Sequence, residues 1–345
     1  MNTNDVNMNS NHVDADAMNP DATCAAPGTA AAGRQPAHGP HAGERQAHGQ
    51  SASGQHTHGQ SASGQPAHRP HASGRSTLDI AVAGGTGTLG RHVVAQLRER
   101  GHKVRVLSRS SAEYRVDLRT GAGLEEALVG CDVVVDAANS TSPRTMRATL
   151  VDGTRRLLAA ERAAGVGHHV CVSIVGCDRV PLPYYKVKTA QEDEVTAGPV
   201  PWTIVRATQF HELVASVFTM TGRARVLPTT RNVRLQPIAA VEAAGAVADA
   251  AESAARRARV EAVGPEVTDL RTLAEQWRTA ASGRYALLHV PLPGAMRRPL
   301  RAGHLTSERP EARGAVAFGD WLRTTRQASA TEGDRSRRAG SVGGA

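Results

Sequence analysis

The chain has 345 residues, a formal net charge of +9 and only 3% aromatic residues. No apolar run reaches the roughly 18 residues that a membrane helix needs, so no spanning segment is expected. The cationic residues are scattered rather than striped and aromatics are few, which argues against a nucleic-acid surface. Cys24, Cys131, Cys171 and Cys177 sit at no metal or redox spacing; they suit a reducing cytoplasm, and no metal site is expected.

Residues 1–77 contain no Leu, Ile, Phe, Tyr or Trp. Such a segment cannot bury enough apolar surface to offset its ordering entropy, so it reads as a disordered tail. It repeats His48-Gly-Gln-Ser-Ala-Ser-Gly-Gln55 at His58 to Gln65 and holds eight of the fifteen histidines. A metal-binding tail is one reading and a solvated linker the favoured one. A basic start and an apolar core, the marks of a secretory leader, are both missing. The tail carries 4 Arg against 5 acids, so the basic excess sits on the remainder. Residues 327–345 read as a second tail.

Folding therefore starts near Leu78. Leu78-Asp-Ile-Ala-Val-Ala83 is an apolar strand, and Gly84-Gly-Thr-Gly-Thr-Leu-Gly90 is a glycine-rich turn. Val93 and Leu97 follow at helical spacing. Both G-x-G-x-x-G (85, 87, 90) and G-x-x-G-x-x-G (84, 87, 90) fit the turn. A strand feeding such a turn into a helix cradles a nucleotide diphosphate. The missing Cβ atoms let backbone approach the phosphates, and the helix N-terminus offers free N–H groups. Gly84, Gly85, Thr86, Gly87, Thr88, Leu89 and Gly90 are the expected cradle.

Strands follow at 102–108, 114–118, 131–137, 169–175 and 201–205. Helices are expected at 124–128, 144–164 and 184–197. This alternation predicts an α/β fold, a doubly wound, mostly parallel Rossmann sheet. Beyond about 222 the alternation loosens into a helix at 241–257, a strand at 260–263, a helix at 270–281 and a strand at 287–290. These read as a small C-terminal substrate lobe within a 78–326 unit.

Ser108-Arg109 ends the second strand. An acid there would take the ribose 2′-hydroxyl of NAD, whereas a basic residue accommodates the 2′-phosphate of NADP. Arg109, with Ser108 as helper, therefore points to NADP over NAD. Asp117 is placed along the adenine edge; Ala137, Ala138 and Asn139 lie beside the adenosine and nicotinamide ribose. Gln209, Phe210 and His211 are expected at the nicotinamide and substrate mouth. His168 and His169 open a strand at the opposite edge, away from the site.

Tyr184-Tyr-Lys-Val-Lys188 fits Tyr-x-x-x-Lys, which puts Tyr184 and Lys188 on one helix face. An ammonium there would lower the phenol pKa and tune a proton donor, with Ser173 holding the same oxygen. Only three of the 41 cationic residues are lysine, and two of them stand in this pentapeptide. The bland alternative is an ordinary helix start behind Pro183.

Together Ala83-Gly-Gly-Thr-Gly-Thr-Leu-Gly90, Val106-Leu-Ser-Arg109, Val172-Ser-Ile-Val-Gly176, Tyr184-Tyr-Lys-Val-Lys188 and Pro201-Trp-Thr-Ile-Val-Arg-Ala-Thr-Gln-Phe210 resemble the atypical or extended short-chain dehydrogenase/reductases. The nearest likeness is to the NmrA-like NAD(P)H-binding group, with isoflavone-reductase-like and complex I 39-kDa-subunit-like relatives. The resemblance implies a Rossmann NAD(P) site over residues 78–325. It also implies Lys188 as the safer proton carrier, since a lysine does that work in isoflavone-reductase-like proteins. The Ser173 to Tyr184 spacing is shorter than the usual short-chain pattern. The expected function is an NADP-dependent oxidoreductase reducing a small carbonyl, enone or quinone, as a cytoplasmic monomer or homodimer without nucleic-acid partners. A redox-sensing NADP(H) regulator without turnover is the alternative, and a sugar-nucleotide epimerase or dehydratase the weaker one.

Overall fold

A computed structural model describes residues 77–327. The tails expected at 1–77 and 327–345 lie outside them, apart from their inner ends. In chain order the elements are β1 (Asp79–Ala83), α1 (Gly90–Glu99), β2 (Lys103–Ser108), β3 (Tyr114–Arg115), α2 (Leu124–Leu128) and β4 (Val133–Asp136). Then come α3 (Met146–Leu150), α4 (Asp152–Ala164), β5 (His168–Ile174), α5 (Pro183–Ala197), β6 (Trp202–Ala207) and α6 (His211–Gly222). The order continues through β7 (Val226–Thr229), α7 (Ala240–Glu252), β8 (Arg259–Val263), α8 (Leu270–Ala281), β9 (Ala286–His289), α9 (Gly294–Arg301) and β10 (Ala312–Arg313).

The main sheet runs β10-β8-β6-β5-β4-β1-β2-β3, and its strand pairs are parallel. The order reverses between β1 and β4, the topological switch point where open α/β sheets bind ligands. Strand alternation feeds two helix layers. Ile80 and Val82 of β1 face a core with Val93 and Leu97 of α1 and the alanines of α7. Ala81 and Ala83 face the opposite layer, with Leu124 and Leu128 of α2 and Leu157 of α4. A further core gathers Phe218 of α6, Leu227 of β7, Trp277 of α8, Leu300 of α9 and Phe318.

The chain beyond 222 is divided rather than being one lobe. The helix α7 and strands β8 and β10 return to the main sheet, whereas β7, α8, β9 and α9 build the second core. Ala-rich α7 packs against α1, where small side chains let the two helices close up. The helix expected over 144–164 breaks at Val151 into α3 and α4. No helix among the described residues is long and apolar enough to cross a membrane.

Candidate functional site

The glycine turn settles which frame applies. Gly84 takes φ +72°, and a Cβ there would stand 2.7 Å from the Ala137 carbonyl oxygen. A Cβ on Gly90 would stand 2.1 Å from the Gly84 oxygen. Gly84 thus makes the tight turn and Gly90 the close helix–strand contact, as in the frame 84, 87, 90. Gly87 differs: its Cβ would meet only the Gly84 oxygen, at 3.2 Å. Its outer side is open, which fits backbone approach by a phosphate. No side chain caps the N-terminus of α1. The Arg91 N–H already donates to the Gly87 oxygen and the His92 and Val93 N–H groups to the Leu89 oxygen, so an anion would meet the helix at its tip, ahead of Arg91. Thr86 is exposed, and Gly87 and Thr88 are half-buried, at the tip of this cradle. Gly85 packs against Val106 and Val94 beneath it, and Leu89 is buried.

Arg109 is exposed just past β2 and makes no ion pair with any described residue. Beside it the Ser108 Oγ lies 3.3 Å from the Ser110 Oγ. Asp117 is held by Arg119, whose Nη2 donates at 2.9 Å, and its backbone bridges to Ala122. Ala137 donates its N–H to the Ala83 oxygen and Ala138 to the Asp136 Oδ1, so β4 runs straight into the cradle. Asn139 follows, and its Oδ1 accepts the Tyr184 hydroxyl at 2.8 Å.

The helix α5 is unusual in what it buries. Tyr185, Lys188, Gln191, Glu192 and Val195 form its inner face. Three polar groups on a buried stripe each require partners. Lys188 Nζ donates to the Val172 carbonyl at 2.7 Å and to Gln191 Oε1 at 2.5 Å. Gln191 Nε2 donates onward to Asp136 Oδ2 at 3.0 Å, which also accepts Thr154 at 2.7 Å. Glu192 accepts Ser173 Oγ at 2.6 Å, Arg206 Nη2 at 2.6 Å and Arg259 Nε at 2.7 Å. Burial would push the Glu192 pKa up, but these donors, Arg206 foremost, hold it at about 2.

Three expectations change here. Ser173 and Tyr184 do not share a hydrogen bond: the Ser173 hydroxyl donates to Glu192 and the Tyr184 hydroxyl to Asn139. The Tyr184 pKa moves up from its ordinary 10, not down: burial outweighs both the Lys188 charge and the Asn139 hydrogen bond. Gln209 is half-buried at the end of β6, and Phe210 packs on the core shared by α1 and α7. His211 is turned away from any mouth. It is buried against Phe318 and Trp321 and hydrogen-bonded to the Val316 oxygen at 2.9 Å.

Asp136, His169 and Cys171 bring ligand-type atoms within 4.8 Å of one another, all buried. Burial opposes a charge on His169, but the Glu161 carboxylate at 2.8 Å holds its pKa well above 6.5. A protonated imidazole is a poor metal ligand, so this cluster reads as an internal ion pair.

Residues 84–250 match the NAD(P)H-binding family. This stretch is an NAD(P)H-binding domain. It runs from the cradle through α5 into α7, and so contains the site residues expected from the sequence, whereas Arg259 lies beyond it. The domain's chain is 31% identical over 145 residues to the "Photosystem II assembly factor Ycf39" of Synechocystis sp., covering 38% of this chain and 44% of that protein. The chain thus matches less than half the length of that relative. It is 27% identical over 243 residues to the "Ceramide reductase" of Caulobacter vibrioides, covering 63% of this chain and 75% of that one. An NADPH-dependent quinone oxidoreductase of Escherichia coli, complexed with NADPH, superposes on the NAD(P)H-binding domain and its surroundings with a TM-score of 0.61. The identity is 16%, over 71% of this chain and 99% of that one. At that identity the likeness concerns the fold alone.

Sequence reasoning did not find Gln191, Asp136, Glu192 or Arg259. One signal was available: Arg206 stands inside the apolar run Trp202-Thr-Ile-Val-Arg-Ala207, and a cation in a buried strand requires an acid.

Proposed function

We propose that this protein is an NADPH-dependent reductase of a carbonyl or quinone. The observation that carries the reading is the Tyr184–Asn139 hydrogen bond at the end of β4, two residues beyond the contact that shapes the glycine cradle. Gly84 to Gly90 hold the pyrophosphate, Arg109 and Ser108 the 2′-phosphate, Asp117 the adenine edge, and Ala137 and Ala138 the adenosine side. Bound NADPH supplies a hydride. Tyr184, kept neutral by its raised pKa, donates the proton to the substrate oxygen. Asn139 fixes the direction of the phenol. Two of the three Lys188 donors are engaged, leaving one for a ribose hydroxyl, so Lys188 acts here as a cofactor anchor and charge rather than as the proton source. Gln209 and Phe210 wall the mouth. The name of one relative, a ceramide reductase, supports the reaction class.

The test is NADPH oxidation over a panel of ketones, enones and quinones, with Tyr184→Phe and Lys188→Ala alongside. Turnover abolished in Tyr184→Phe with NADPH binding intact supports the reading. A second reading, an NADP(H)-binding regulator, draws on the commitment of Ser173 to Glu192, which leaves Tyr184 without the usual serine partner. Tight NADPH binding with no turnover across the panel favours it.

A further inference from the structure

Residues 276–307 contain Arg278, Arg284, Arg297, Arg298 and Arg301 and not a single acid. None of the five arginines forms an ion pair with a described residue. Within this stretch β9 pairs only with β7, leaving one edge open. Leu288 is 56% exposed and Val290 41% exposed. They stand two residues apart on extended chain, Val290 continuing the ladder through its N–H to the Thr229 oxygen, and so share a face. The next turn inverts the pattern. Met296 and Leu300 of α9 point into the second core, and Arg297, Arg298 and Arg301 stay outside. At the other end of the β7–β9 pair, Arg225, Arg278 and Arg284 line a shallow pocket.

A single exposed leucine means little. Here two aliphatic side chains project from a stretch whose every charge is positive. We propose that this face docks on an anionic phospholipid bilayer, with Leu288 and Val290 entering the headgroup–acyl boundary and the α9 arginines lying over lipid phosphates. The charge pattern selects this occupant. A two-fold dimer through the same face would set the arginines against their own copies. A nucleic acid would gain nothing from Leu288 and Val290, whose aliphatic side chains offer no ring for a base to stack on. Guanidinium groups and shallow aliphatic insertion are what an interfacial surface combines. The proposal is independent of the reaction class above.

The experiment is co-sedimentation of the full chain with phosphatidylcholine vesicles, with and without phosphatidylglycerol. Binding is expected only with phosphatidylglycerol present and should weaken as salt rises. Each arginine near an anionic surface is worth about a fivefold change in partitioning, so Arg297→Glu/Arg298→Glu should lose at least about 25-fold. Leu288→Asp/Val290→Asp should abolish binding while leaving NADPH affinity and the thermal melt unchanged. Failure to bind anionic vesicles overturns the proposal, as does equal binding to neutral ones or retention of binding in both double variants. Binding to polyglutamate without binding to vesicles, or a concentration-dependent dimer dissociated by Leu288→Asp, reassigns the face to an acidic protein or a second copy and overturns it as well.

Discussion

Replacing Glu192 by alanine should destabilise the protein by about 3–5 kcal/mol, the cost of removing one partner from a buried ion pair. Its side chain is 1% exposed and accepts Arg206 Nε at 2.8 Å, Arg206 Nη2 at 2.6 Å and Arg259 Nε at 2.7 Å. Holding a carboxyl at about 2 instead of 4.5 corresponds to about 3 kcal/mol in favour of the folded, charged form. Because the folded pKa is the lower one, that contribution is complete above the ordinary carboxylate range and disappears as pH falls toward 2. Truncation also strands Arg206, left with Asp178 at 3.2 Å as its remaining acid. For a folded unit of this size the melting temperature should drop by about 6–20 °C, at about 2–4 °C per kcal/mol. The assay is a thermal melt at neutral pH, repeated with Glu192→Leu/Arg206→Met. The double variant should recover most of the loss, because an apolar pair of similar volume replaces a buried ion pair at little cost. A Glu192→Ala variant that melts within about 2 °C of wild type would refute the reasoning, as would a double variant no more stable than the single.

Gly90→Ala drives a Cβ to 2.1 Å from the Gly84 oxygen; fluorescence titration should show NADPH affinity weakened by at least about tenfold, or about 1.4 kcal/mol. Arg109→Ala should weaken NADPH by about ten- to a hundredfold, the worth of a charge-assisted hydrogen bond, and leave NADH unchanged; parallel titrations decide it, and equal NADH and NADPH affinity in wild type would remove its basis. Tyr184→Phe should lower kcat by about 10²–10⁴-fold. Because the Tyr184 pKa lies above its ordinary 10, the wild-type reductive rate should stay level through neutral pH and fall only once the phenol ionises in strong alkali; a pH–rate profile that declines from neutrality would remove Tyr184 as the donor.

The cradle was legible because three glycines at fixed spacing, an apolar strand and an amphipathic helix all demand the same local geometry. The parallel strands were legible for a related reason: short Val- and Ile-rich runs between helices have few other ways to be buried. α5 was harder. Tyr184 and Lys188 advertise a shared face, but the spacing is silent on Gln191 and Glu192, which lie deeper on the same stripe. For Ser173 the sequence reveals the strand position but not the side-chain direction, and the structure turns its hydroxyl to Glu192 rather than Tyr184. The helix α6 carries no readable signature, since His211 to Gly222 is apolar on most sides and shows little helical period. The β7–β9 pair joins residues about sixty positions apart, a separation that no local pattern encodes.

The amide of Gln191 has a further consequence. Its two ends differ chemically, oxygen toward Lys188 and nitrogen toward Asp136. It works as an insulator with a fixed polarity, keeping a cation and an anion in communication while stopping them from collapsing onto each other. Gln191→Glu would set two carboxylates face to face, and leucine would cut the connection. An amide of this length links the lysine, which the Val172 carbonyl also holds, to Asp136, so a cation and an anion are joined through a side chain that carries no charge of its own.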